Sequence, residues 1–364
     1  MDSRPLRILE IITPSRYSGA ERVVTYLSAA LARRGHEVLV ATKPLPLLEQ
    51  ELARRGVSCR ALPLSGKLNP RVGRLLREVI RDFRPDVVHT HLSTATWWGA
   101  GAAHREGLPC VAHVHGLTSL LWYRRADLLV GPSHGATDFL LAHRLPPARV
   151  AMVYNGLDPA DFEGLPSRAE VRRQLGLPPA APVVGTVAHL SAKKGHRILL
   201  QAMAELSGRY PDLQVVLMGE GPLRGRLEQL TRRLGLEDRV HFLGYRHDAL
   251  ALTPALDVTV LPSLRHDTLG LCLVEAAFLG IPGVGSDAPG IREAIEAEVT
   301  GLLARTGDPQ ELARALDRLL ADADLRARLG QAAQRRAREL FTLEAQAAAM
   351  EELFRAVIHA RGGA

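Results

Sequence analysis

The chain predicts an α/β protein of two doubly wound, parallel-sheet domains. Three observations predict it. Short apolar runs alternate with helical patterns in both halves, a Pro-, Gly- and Asp-rich segment (158–181) separates the halves, and 364 residues suffice for two domains of roughly 150 residues each. The expected boundaries are 1–160, 161–342 and a C-terminal helix over 343–364.

In the first half the strand-like runs fall at 7–13, 37–42, 58–64, 87–91, 110–115, 128–131 and 150–154. A helix over 20–34 links the first two. Its Val23, Val24, Leu27, Ala30 and Leu31 recur at helical spacing, and Gly35 ends it. The segment 158–181 reads as a linker with one short helix. The second half repeats the pattern with strands at 183–188, 214–218, 240–243, 258–261, 283–285 and, weakly, 302–304. From Pro309 onward the pattern is helical, and the last helix, 343–360, is expected to pack back on the first domain. Parallel sheets bind ligands at the carboxyl ends of their strands, so the expected site is the crevice between the domains.

Composition narrows the function. No apolar run reaches the roughly 18 residues of a membrane helix, and the start, MDSRPLRILEII, shows no small-residue cleavage site. Cys59, Cys110 and Cys272 lack metal-ligand spacing and suit a reducing cytoplasm. A net charge of +7 allows acidic partners, but no basic tail, zinc pattern or basic–aromatic motif indicates nucleic acid. Of 46 basic residues only Lys43, Lys67, Lys193 and Lys194 are lysine. Two of these sit together in one strand-to-helix loop, where a compact ammonium suits a phosphate.

The most telling stretch runs from Leu261 to Gly280. A strand ends in Pro262-Ser263, a loop carries Arg265, His266 and Asp267, and Gly270 opens an apolar helix containing Glu275. A helix start offers free N–H groups to an anion, and two carboxylates can accept from hydroxyls. Such a set suits a sugar nucleotide. Gly19 precedes another helix, where its backbone can approach a phosphate. His189-Leu190-Ser191-Ala192-Lys193-Lys194-Gly195 places a lysine at a helix start, which an anion would offset. Gly219-Glu220-Gly221-Pro222 lacks the third glycine of a dinucleotide fingerprint and reads as a capped turn.

Histidines cluster at His89, His91, His113 and His115. His89 and His91 share a strand face, but no acidic or thiol partner stands at ligand spacing, so no metal is expected. His115 ends a strand and is expected to face substrate. Trp97, Trp98 and Trp122 suit either sugar stacking or core packing. The segment 71–84 aligns Arg71, Arg74, Arg77, Arg81 and Arg84 on one face, expected to be solvated, with anionic membrane as the other possibility. Asp322-Ala323-Asp324 imitates a metal motif between C-terminal helices and is discounted.

Taken in order, these motifs resemble the GT-B-fold glycosyltransferases of family 4 over nearly the whole chain. The resemblance rests on Gly19-Ala20-Glu21-Arg22-Val23 with Arg34-Gly35-His36-Glu37-Val38, Pro85-Asp86-Val87-Val88-His89, Val114-His115-Gly116 and Asn155-Gly156-Leu157-Asp158. It continues through Lys194-Gly195, Gly219-Glu220-Gly221-Pro222, Phe242-Leu243-Gly244, Leu261-Pro262-Ser263, and Gly270-Leu271 before Glu275-Ala276. It implies two Rossmann-like domains facing across a cleft, the first binding acceptor and the second binding a nucleotide sugar. It implies retaining transfer without a metal or other cofactor.

The family's paired acids align with Asp267, on the donor sugar, and Glu275, on the ribose. Its phosphate clamp aligns with His189 and Lys194. Gly19, Gly244, Arg246, Gly270 and Leu271 join the donor-binding set. His115 joins Lys194 and Asp267 as catalytic candidates, with His91, Trp97, Trp98 and Trp122 on the acceptor side. Asp267 replaces the usual glutamate and His189 the usual arginine.

By the same analogy the donor is a UDP-sugar, with GDP-sugar second, and the acceptor a cell-envelope glycan or lipid-linked sugar. The expected location is the cytoplasm, with peripheral contact to anionic membrane and no nucleic acid partner. The competing readings are a sugar-nucleotide epimerase of the same fold and a catalytically weak nucleotide-binding subunit.

Overall fold

The computed structural model describes residues 4–116, 119–264 and 267–362; Arg265 and His266 lie outside the described residues. The chain forms two compact units, one of residues 4–158 with 341–362, the other of residues 159–340.

In the first unit seven strands form one parallel sheet: β1 (Arg7–Ile12), β2 (Glu37–Thr42), β3 (Ser58–Ala61), β4 (Val87–His91), β5 (Cys110–His113), β6 (Leu128–Gly131) and β7 (Val150–Met152). Their order is β3-β2-β1-β4-β5-β6-β7. The β-strand period of two sorts β1 between the two sheet faces. Leu9 and Ile11 enter one core, with Val72, Leu76 and Val79 of the helix Pro70–Phe83. Ile8 and Ile12 enter the other, with Val24, Leu27 and Leu31 of the helix Gly19–Arg33 and with Leu343, Ala347, Met350 and Phe354. The helix Leu343–Gly362 thus completes this core. Its approach needs Gly156, where a Cβ would lie 2.3 Å from the Thr342 carbonyl oxygen. Leu157 N–H donates to Phe341 O, and Leu343 N–H to Leu157 O.

The second unit holds six parallel strands: β8 (Val183–Val187), β9 (Gln214–Met218), β10 (Val240–Gly244), β11 (Val258–Leu261), β12 (Gly283–Ser286) and β13 (Gly301–Ala304), in the order β10-β9-β8-β11-β12-β13. The linker's helix spans Arg168–Gln174. Its Arg172 reaches Asp257 at 2.7 Å, and Asp257 also accepts from Val183 N–H. This buried pair locks the linker helix onto the start of β8.

In both sheets the order reverses direction after a central strand, at β1/β4 and at β8/β11, which is where open parallel sheets take ligands. The arginine face of the helix Pro70–Phe83 lies in solvent, with Arg77 and Arg81 bonded to Glu106. Asp322 caps the helix Ala323–Leu340 through Leu325 N–H, a structural use of the discounted motif. Among the described residues no helix is long and apolar enough to cross a membrane.

Candidate active site

In the second unit the polar loops converge at the ends of β8 and β11 because two glycines permit it. Gly195 has φ +69°, and a Cβ there would lie 1.8 Å from the Pro262 carbonyl oxygen, so only glycine lets the loop after β8 touch the end of β11. Leu264 N–H donates to Lys193 O at 2.8 Å across the same contact. Lys194 is thereby delivered to Asp267, with Nζ 2.7 Å from Oδ2. Ser263 Oγ donates to that oxygen at 2.7 Å, and Lys193 Nζ stands 3.8 Å from Oδ1.

Asp267 is 8% exposed. Burial alone would raise its carboxyl, but the charges of Lys194 and Lys193 and the bonds from Lys194 and Ser263 outweigh that and hold it below the usual carboxylate range. The methylene lost relative to glutamate therefore does not cost Asp267 its lysine. Gly290, which the sequence reading passed over, lies under this loop: a Cβ there would meet the Asp267 carbonyl oxygen at 2.0 Å.

Gly270, at φ +72°, opens the helix Leu271–Phe278, and Glu275 is buried in its second turn at 4% exposure. Cys272 on the same helix is no nucleophile, since burial pushes its thiol up to about 12. His189 is half-buried in the loop after β8. Leu190 N–H donates to Glu220 O, and a Cβ on Gly221 would sit 2.8 Å from His189 Cε1. The two glycines of that turn serve close packing of neighbouring loops. Gly244 accepts from Gly219 N–H at 2.8 Å. Arg246 forms a two-pronged pair with Asp248 through Nε and Nη2, at 2.7 and 2.6 Å.

In the first unit Gly19 is the first residue of its helix, but Glu21 already takes the Ser18 N–H and hydroxyl, at 3.0 and 2.8 Å. The histidines lie at the ends of β4 and β5. Strand register pairs Glu10 with His89, Ile12 with His91 and His91 with His113, all on one sheet face. The Glu10 carboxylate, 0% exposed, meets His89 Nδ1 at 2.8 Å and His91 Nε2 at 2.7 Å. His91 Nδ1 lies 2.7 Å from His115 Nε2, and His113 Nε2 lies 3.0 Å from Asn155 Oδ1.

Burial, aided by the neighbouring rings, pushes His91, His113 and His115 well below the usual imidazole range, so these rings are neutral. His91 was expected to touch an acceptor; it is fully buried with both ring nitrogens engaged, because its strand turns it toward Glu10. His115 is half-buried at the edge of the cluster. Glu10 is the residue that sequence reasoning missed. Its signal was an acid in the middle of an apolar strand, which must find partners. It is also the acidic partner absent from ligand spacing beside the histidines, and one ligand nitrogen from each of His89, His91 and His113 lies within 4.8 Å of the others.

The three tryptophans lie half-buried on the opposite face. Trp98 Nε1–H donates to Gly66 O at 2.9 Å. Trp97 meets Trp122 edge-on, with Arg125 3.5 Å over Trp97 and Lys67 4.3 Å over Trp122. Trp98 and Trp122 pack on the core. Beside them Leu68 and Leu121 stand exposed.

Known proteins resemble this chain in sequence and fold. The family pattern described as Glycosyl transferases group 1 matches residues 167–336, and that of Glycosyltransferase Family 4 matches residues 17–161. The 2-deoxystreptamine N-acetyl-D-glucosaminyltransferase of Streptomyces fradiae is 31% identical over 352 residues, covering 84% of this chain and 83% of its own. A D-inositol 3-phosphate glycosyltransferase of Corynebacterium urealyticum is 36% identical over 221 residues, so that this chain spans about half (52%) of that relative's length. Among solved structures, Anabaena HepE in complex with UDP and glucose superposes with a TM-score of 0.87 at 25% identity, covering 96% of this chain and all of its own.

Proposed function

This chain belongs to the group 1 and family 4 glycosyltransferases of GT-B fold, and from that premise we propose that it transfers a sugar from a nucleoside-diphosphate sugar to a hydroxyl acceptor with retention of configuration. The observation that carries this reading is the Lys194–Asp267–Ser263 cluster beside the glycine-opened helix that buries Glu275. A UDP-sugar is the first donor to test, in keeping with the UDP held by HepE.

The chemistry asks for two things. Departure of the diphosphate puts negative charge on its oxygens, which the Lys194 ammonium and the N–H groups at Gly270 and Leu271 stabilise. Positive charge develops on the sugar ring, whose hydroxyls donate to Asp267. Glu275 accepts from the ribose hydroxyls. The attacking hydroxyl enters from the leaving-group side and passes its proton to a diphosphate oxygen, so no protein nucleophile or metal ion is called on. His115 supplies the polar contact to donor or acceptor on the first unit.

The named relatives act on D-inositol 3-phosphate and 2-deoxystreptamine, so ring polyols belong in the acceptor screen beside cell-envelope glycans and lipid-linked sugars. The experiment is a thermal-shift series with UDP- and GDP-sugars, followed by NMR of the transfer product. A UDP-sugar is expected to raise the melting midpoint most, and the product to keep the donor's anomeric configuration. If no nucleotide sugar shifts the midpoint, the reading fails. Conversion of donor without acceptor would favour the epimerase, and binding with neither transfer nor donor hydrolysis the binding subunit.

A further inference from the structure

We infer that the first unit carries a buried structural site for a zinc-type divalent metal ion, with His89, His91 and His113 as ligands and Glu10 and Asn155 as the groups that orient them. The inference does not depend on the transfer reading.

Hydrogen-bond chemistry fixes which nitrogen of each ring carries hydrogen. A carboxylate only accepts hydrogen bonds, and so does an amide oxygen. His89 therefore presents Nδ1–H to Glu10, His91 presents Nε2–H to Glu10, and His113 presents Nε2–H to Asn155 Oδ1. The lone pair of each ring is left on the other nitrogen. For His89 Nε2 and His113 Nδ1 that nitrogen is buried and has no hydrogen-bond partner among the described residues, although both residues are 0% exposed. A ring anchored through one nitrogen on a carboxylate or carbonyl, with the other lone pair bare, is the state of a metal-ligating histidine with its supporting shell.

Distance and charge agree. Metal–imidazole bonds of about 2.1 Å require ligand nitrogens within about 4.2 Å of one another. Here one nitrogen from each ring lies within 4.8 Å of the others, and tetrahedral angles would set those nitrogens about 3.4 Å apart, so closure asks for a contraction of up to about 1.4 Å. The third lone pair, on His91 Nδ1, now faces His115 Nε2 and would be released to the ion. A dication would also balance Glu10, a fully buried carboxylate whose ion-pair partners among the described residues are imidazoles. A buried water is the rival occupant. It can donate its two hydrogens to the two bare lone pairs of His89 and His113, but it brings no positive charge to balance the carboxylate. Three imidazoles suit zinc, cobalt, nickel or copper rather than calcium or magnesium, and ligands with no exposure point to a structural ion.

The experiment uses the whole chain, freed of any histidine tag and grown with added zinc. Elemental analysis is expected to find close to one zinc per chain. Added Zn²⁺ should raise the melting midpoint, and Co²⁺ substitution should give the visible d–d absorption of a nitrogen-ligated site. His113→Asn and His89→Asn should lose the stoichiometric ion, while His104→Gln and His143→Gln, at exposed positions, should keep it. A wild-type chain with no zinc, no Zn²⁺-dependent shift and no cobalt spectrum overturns the inference. So does full metal retention in His113→Asn. If the buried variants do not fold, the wild-type cobalt spectrum decides alone, and none of these readouts needs sugar transfer to succeed.

Discussion

Each unit buries a carboxylate, one in a loop and one within a strand, and the two neutralise it in opposite ways. In the second unit Asp267 is met by an ammonium and a hydroxyl carried on loops. In the first, Glu10 is met by imidazoles carried on the neighbouring strand. A loop-borne cation on a four-carbon stem can be shared with a ligand and returned. A strand-borne cluster is fixed by sheet register and can change only its protons or a bound ion. The first arrangement suits catalysis and the second suits architecture, although both stand at the switch point of a parallel sheet.

The contrast can be broken at several points. Replacing Glu10 by Ala strands two imidazole N–H groups in a dry core and should cost the most, about 3–5 kcal/mol of stability, read from the urea midpoint at constant slope. Lys194→Ala should act on rate more than on folding. By analogy with oxyanion donors it should cost ~2–4 kcal/mol in kcat/KM, and unchanged transfer kinetics would remove Lys194 from the site.

His196 sharpens the contrast, because it is buried with neither ring nitrogen bonded among the described residues. Burial, and then the charges of Lys194 and His189, lower it to about 4. Its folded value lies below the unfolded value of about 6.5, so below that pH the unfolded chain binds the extra proton. Its contribution is present above pH 6.5 and drains away as pH falls toward 4, by about 3 kcal/mol in all. His196→Leu should flatten that part of the acid limb of a stability–pH curve. The smallest effect belongs to Trp98→Phe, which removes the bond to Gly66 O and should cost about 1 kcal/mol, with no change in donor affinity.

The strands were readable because buried parallel strands are continuous apolar runs. The errors sit at their ends. The run 58–64 stops pairing at Ala61, two residues before Pro63, which has no N–H to give a ladder. The second unit's candidate residues were readable as candidates, since Lys194, Gly195, Asp267, Gly270 and Glu275 stand out as charged or glycine positions in short loops and at a helix start, although Lys194 and Asp267 are 73 residues apart. Glu10 was not. Its partners are 79 and 81 residues away, and only the register of β1 against β4 brings them together.

Phe354 packs against His89, with ring centroids 5.2 Å apart, and Gln346 donates its amide to Asn155 and accepts from Gly156 N–H. The ribosome makes those two residues after all of the second unit. The half that is translated first is therefore the half that is finished last: until its closing helix emerges, the histidine rings lack their lid and one sheet face lies open to whatever chaperone is at hand.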